Sequence, residues 1–181
     1  MLTRLGLIVT QRCDLKCAHC LRGYPTQRQD FPLELLPHLL SEARPFGAKH
    51  VALTGGEPHL HPQFTEIVRT ISQSGYTWHF VSNGQQTTPY LSLTESYRDS
   101  FTGVTLSIDG ANAETHNAMR NSSHAFQRAT AAAREYVGRG YKLRLSACLS
   151  RLNKDQAPDL LKLAVALGAE GVNFGGVIPT P

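Results

Sequence analysis

The chain has 181 residues, with 41% hydrophobic and 18% charged residues, a balance that suits one soluble globular domain and excludes a disordered chain. Its net charge of +4 is carried by scattered Lys and Arg residues with no basic block, so a nucleic-acid footprint is not supported. No apolar run reaches the roughly 20 residues of a membrane span, and the first ten residues are too short for a signal peptide, so a cytoplasmic location is expected.

Residues 5–9 form a short apolar run of strand type, and a cysteine-rich loop follows at once. Pro32 then opens a helical pattern in which Leu33, Leu36, Leu39, Leu40 and Ala43 share one face, and Gly47 ends it. Residues 50–54 read as a buried strand running into Gly55-Gly56-Glu57-Pro58. Residues 62–74 are expected to be helical, with Phe64, Ile67, Val68 and Ile71 on one side and Gly75 as the stop. A strand over 77–82 ends in Asn83-Gly84, and a weaker helix pattern covers 88–100. The next strand, 103–108, ends in Asp109-Gly110 and precedes helical sequence over 113–119 and 125–137. A strand over 143–149, a helix over 155–167 and a last strand begun at 172–174 complete the series.

Strands alternating with helices predict an α/β fold with a parallel sheet and right-handed crossovers. Such folds gather their chemistry on loops beyond the carboxyl ends of the strands. Here the unusual loops all follow strands, so the cysteines, Gly-Gly-Glu-Pro, Asn83 and Asp109 are expected to share one face.

Three of the four cysteines crowd between positions 13 and 20, in the order Cys13-Asp-Leu-Lys-Cys17-Ala-His-Cys20. That is a poor disulfide framework and a plausible metal site. Soft thiolates select iron–sulfur centres, zinc or copper(I). Three ligands on a four-iron cluster leave one iron open, which catalysis requires and an electron carrier does not. A structural zinc site needs a fourth ligand, and His19, beside Cys20, is poorly placed to fold back onto the same ion. Cys148 stands alone within an apolar strand and reads as a small core residue.

The cysteine loop resembles the CxxxCxxC loop of the radical S-adenosylmethionine (SAM) superfamily, and Gly55-Gly56-Glu57-Pro58 resembles that family's second hallmark. Ser107-Ile-Asp-Gly110 is similar to the subgroup of peptide-modifying and cofactor-maturing members, many of which carry a C-terminal cluster-binding extension called SPASM. The resemblance implies a six-strand partial TIM barrel over residues 1–181, a radical SAM core without that extension. It implies an enzyme in which Cys13, Cys17 and Cys20 bind a 4Fe–4S cluster that cleaves SAM reductively. The 5′-deoxyadenosyl radical so formed abstracts hydrogen from a peptide, cofactor precursor or other small molecule. An external electron donor of the flavodoxin or ferredoxin type is implied as well.

By the same resemblance, Gly55 and Gly56 let backbone approach SAM, and Glu57 meets its ammonium group. Asn83, Ser107 and Asp109 face its polar groups, and Arg120 grips its carboxylate through a planar fork. Taken alone, these residues also read as a strand-to-helix turn, an Asn-stabilised turn, a helix cap at Asp109, and a solvated His116/Arg120 pair on one helical face. Residues 175–179 are implied to line the adenine. Because no further cysteines follow, a minimal enzyme, a truncated non-catalytic remnant, and a chain whose missing wall a partner protein supplies all remain open.

Overall fold

The computed structural model describes residues 1–23 and 26–176. The strands are β1 (Arg4–Thr10), β2 (His50–Gly55), β3 (Thr77–Ser82), β4 (Phe101–Ser107), β5 (Leu143–Leu149) and β6 (Gly171–Gly176). The helices are α1 (Leu36–Ala43), α2 (Phe64–Gln73), α3 (Thr88–Ser96), α4 (Ala113–Arg120), α5 (Ala125–Gly138) and α6 (Ala157–Ala166). The strands follow one another in sequence order in a single parallel sheet, the α/β arrangement expected from the alternation. No helix among the described residues is long and apolar enough to cross a membrane.

Several boundaries move from the sequence expectation. The first helix begins as a 3-10 turn at Leu33–Leu35, and α2 starts at Phe64 because Pro58–Leu60 forms a 3-10 turn of its own. The third helix stops at Ser96 instead of 100. Residues 97–100 form a turn in which Ser100 accepts both the Trp78 backbone N–H (2.8 Å, through its carbonyl) and the Trp78 indole N–H (3.0 Å, through Oγ), and this turn feeds β4 two residues early. Likewise α6 starts at Ala157 behind a 3-10 turn at Lys154–Gln156.

The chain divides into two compact units, each assembled from separated segments. The first comprises Met1–Cys13, Gln27–Val81 and Thr87–Gly103. One strand face buries Leu7, Val9, Val51, Leu53, Trp78 and Phe80, with Leu36, Leu40, Ile67, Val68 and Ile71 supplied by helices. The period of two in the strands and of three to four in the helices brings these positions to one layer. The second unit comprises Asp14–Thr26, Ser82–Gln86 and Val104–Pro181. It buries Val104, Leu106, Leu143, Leu145 and Ala147 with the alanine-rich face of α5 and with Leu160 and Ala164 of α6.

In the first unit, β1 and β2 keep register from Arg4↔His50 to Ile8↔Thr54 and then slip, so that Thr10 meets Gly55. Such a bulge re-aims the strand end. Beyond it the two loops stay zipped: Gly56 N–H donates to the Thr10 carbonyl and Glu57 N–H to the Arg12 carbonyl, each at 2.7 Å. The approach is so close that a Cβ on Gly55 would lie 2.6 Å from the Thr10 oxygen, and one on Gly56 2.2 Å from the Arg12 oxygen. These glycines are therefore required by the chain's own backbone.

A Gly56→Ala substitution must push two backbone segments apart and is expected to cost about 3 kcal/mol, the upper end for overpacking. Gly6→Ala, with nothing within 4 Å of its added Cβ, should stay within about 0.5 kcal/mol of the parent. Urea unfolding of the two variants checks the contrast, and equal midpoints would refute it.

Candidate functional site

In the first unit, the entry to the cysteine loop is clamped by charge. Thr10 Oγ1 donates to Asp30 Oδ1 at 2.6 Å and accepts the Arg12 N–H at 3.0 Å. The Arg12 guanidinium reaches Asp30 at 3.0 Å through both Nε and a terminal nitrogen. Partial burial works against ionisation of Asp30, yet Arg12 and Thr10 hold its carboxyl below the usual range. Nearby, the Glu57 side chain is buried and accepts the Tyr90 hydroxyl. His59 lies with Nδ1 3.5 Å from Glu57 Oε1 and its ring edge-on to Tyr90. Both ring nitrogens of His59 are buried without a hydrogen-bond partner among the described residues.

The second unit holds a denser network around Asp109, which has no exposed surface. Gly110 lets α4 come close, since a Cβ there would lie 2.5 Å from His116 N. The helix is capped by Asn112, whose Oδ1 accepts Thr115 N–H, so the capping alternative for Asp109 is not realised. Instead, Asp109 Oδ1 accepts Cys148 N–H at 2.9 Å, and Oδ2 lies 2.7 Å from Arg120 Nε and 3.4 Å from His19 Nε2. The Arg120 contact is an ion pair whose alignment falls short of a linear hydrogen bond. The backbone of Asp109 is held as well: its N–H donates to His116 Nδ1 at 3.0 Å, and its carbonyl accepts Asn153 Nδ2 at 2.6 Å.

Arg120 is buried and sends its terminal nitrogen to Cys17 Sγ at 3.7 Å. Burial opposes its charge, but Asp109 and Cys17 keep it firmly protonated. Burial pushes the Cys17 thiol up, with Arg120 pulling the other way. Ala18 N–H donates to the Met119 carbonyl at 2.9 Å, pinning the middle of the cysteine loop to the end of α4. Asn83 stabilises its own turn, its Oδ1 accepting Gln85 N–H, and its Nδ2 donates to Asp14 Oδ1 at 2.7 Å. Ser107 is half-buried and in register with Ser146.

The structure corrects the bland readings of three residues. His116 and Arg120 are interior groups of one network, not a solvated pair. Cys148 is half-buried at the end of β5 and contributes its backbone to Asp109. The sequence reading missed Asn153, Asp14, Tyr90, His59 and Asp30. Asp14, within the cysteine motif, was the one with a signal to find. Of the residues implied to line the adenine, 177–179 lie outside those described.

None of the four cysteines is in a disulfide. Among the described residues, no three His, Cys, Asp or Glu side chains converge as ligands of a single metal ion. A four-iron cluster spaces its ligands more widely than one ion does, and thiols near a fixed cation fit its anionic ligand set. A cavity of about 530 Å³ lies beside the loop, lined by Ala18, His19, Met119, Leu149, Ser150, Arg151 and Leu152.

Residues 7–164 match the Radical SAM superfamily, and the chain belongs to it. Members of this family use a 4Fe–4S cluster and SAM. The AdoMet-dependent heme synthase of Methanosarcina barkeri is 30% identical over 176 residues, covering 95% of this chain and 50% of that protein. The PqqA peptide cyclase of Methylobacterium nodulans is 30% identical over 171 residues, covering 92% of this chain and 45% of the relative. The chain thus spans about half the length of the curated relatives it matches. Streptococcus suis SuiB bound to S-adenosylmethionine superposes with a TM-score of 0.82 at 18% identity, over 98% of this chain and 41% of SuiB. The anSMEcpe structure with AdoMet and Kp18Cys peptide superposes with a TM-score of 0.75 at 19% identity, over 97% of this chain and 52% of that one.

The His116 network carries a pH dependence. With Nδ1 accepting a backbone N–H, the ring proton sits on Nε2, which is buried without a partner among the described residues. Burial first, and the Arg120 charge second, push its pKa down from 6.5 to about 4, with Asp109 opposing. The folded protein therefore resists a proton that the unfolded chain accepts. The linkage adds nothing above pH 6.5 and destabilises the fold progressively as pH falls toward 4, by about 3 kcal/mol at most. In cluster-free protein, the unfolding free energy of wild type relative to His116→Gln should fall across that window and stay flat above it; a constant difference down to pH 4 would exclude the effect.

Proposed function

We propose that this chain is the SAM-cleaving core of a radical SAM enzyme, with Cys13, Cys17 and Cys20 as the protein ligands of its cluster. The observation that carries the reading is the Cys17 thiol set against a buried, ion-paired arginine in a chain whose family match runs through both hallmark motifs. When bound, the cluster supplies an electron to the SAM sulfonium, and the resulting 5′-deoxyadenosyl radical abstracts a substrate hydrogen atom.

The chain's residues then divide the work. The Gly55-Gly56-Glu57 backbone, bonded to Thr10 and Arg12 just before the cysteine loop, gives SAM a rigid edge with no side chains in the way at the two glycines. The buried carboxylate of Glu57 supplies negative potential for the SAM ammonium group. Arg120 offers the SAM carboxylate the part of its fork not spent on Asp109. With both carboxylate oxygens engaged by protein groups, Asp109 acts on SAM through Arg120 and His19. Asn83 and Ser107 stand on adjoining strand ends to meet its remaining polar groups. Residues 175–179 remain the proposed adenine wall.

A peptide substrate is the class favoured by the relatives, one of which is a PqqA peptide cyclase, and by SuiB, whose structure bound to the precursor peptide SuiA superposes with a TM-score of 0.81. An external one-electron donor of the flavodoxin or ferredoxin type, a cytoplasmic setting and a partner protein closing the partial barrel complete the proposal.

Anaerobic reconstitution with iron and sulfide, followed by dithionite and SAM, is expected to yield 5′-deoxyadenosine by mass spectrometry, and Cys17→Ala should reduce the yield at least 100-fold. A wild-type protein that binds zinc in preference to a cluster, or a full cluster that releases no product, would overturn the assignment of activity to this chain.

A further inference from the structure

The Arg120 to Cys17 contact has a consequence apart from SAM binding. One nitrogen of the guanidinium faces Asp109, and another faces a cysteine sulfur at 3.7 Å, within range for a donor to sulfur. Both residues of the ion pair are buried, so neither water nor salt screens them appreciably. Hydrogen bonds and positive charge at a ligating sulfur stabilise the reduced cluster, which carries one more electron, and so raise its reduction potential.

We infer that Arg120 is a positioning residue that raises the reduction potential of the bound cluster through Cys17, and that Asp109 limits the rise by neutralising part of its charge. This rests on the reading of Cys17 as a cluster ligand. Asp109 plays two opposed parts: it orients the fork toward the sulfur, and its own negative charge subtracts from the field there. His19, 3.4 Å from Asp109, adjoins the same balance.

The two signs give the test its force. Wild type, Arg120→Gln, Arg120→Lys and Asp109→Asn are reconstituted anaerobically, and cluster content is fixed by iron, sulfide and EPR integration. Midpoint potentials are then read by EPR-monitored titration with dithionite, without SAM. At the wild-type midpoint, Arg120→Gln should lower the reduced-to-oxidised ratio about tenfold, which is about 59 mV for a one-electron couple. Arg120→Lys should shift it in the same direction by less, because an ammonium cannot serve the carboxylate and the sulfur together. Asp109→Asn should move it the opposite way. Loosened packing would shift all three in one direction, and that result, or potentials unchanged from wild type, overturns the inference. If a variant takes up no cluster, those that do decide the matter by sign. A wild-type chain that forms no cluster would instead refute the reading of Cys17.

Discussion

A carboxylate with no exposed surface needs cations and donors in place of its water, and Asp109 is where this chain meets that demand. Its partners come from four directions: Cys148 at the end of β5, Arg120 and His116 on α4, Asn153 beyond β5, and His19 inside the cysteine loop. A buried pair of this kind is weak evidence for stability, since desolvation offsets much of the attraction. What it provides is placement. Removing one partner strands the other, so the loop, strand end and helix must arrive together.

The first unit solves its own version of the problem with backbone in place of charge. Thr10 and Arg12 give their carbonyls to the N–H groups of Gly56 and Glu57, and two glycines permit the approach. The strand-end bulge sets the direction, and Asp30 ties Thr10 and Arg12 from the far side. Glu57, turned toward Tyr90 and His59, is fixed by a hydroxyl donor and aromatic edges. Rigidity at this end comes from distances too short for any side chain.

The strands and helices were legible because their apolar positions recur at the right period between glycine stops, as Leu53, Phe80, Leu106 and Leu145 illustrate. Their boundaries were less so, since residues 58–60 and 97–100 make turns whose reasons lie in partners elsewhere in the chain, such as Trp78 for Ser100. The cysteines, the Gly-Gly-Glu-Pro turn and the Ser-Ile-Asp-Gly end stood out as motifs. Their pairings did not. That Asp109 meets Arg120 depends on how α4 packs back on the strand it leaves, which Gly110 permits and no local pattern states. Asn153 and Asp30 sit in ordinary polar loop sequence, and only the folded backbone reveals what they hold.

The choice of arginine at position 120 follows from the same geometry. A point cation could neutralise Asp109 or face Cys17, but a planar guanidinium does both without moving, and it stays charged at 8% exposure where a lysine would be prone to lose its proton. The helix supplies the distance, with His116 one turn earlier holding the Asp109 backbone while Arg120 takes its side chain. Asp109 is thus gripped at its N–H by one residue of α4 and at its carboxylate by another. The cysteine loop, bonded to the carbonyl of the residue just before Arg120, inherits that registration. The position of the Cys17 sulfur relative to a fixed positive charge is therefore a property of a single helix turn.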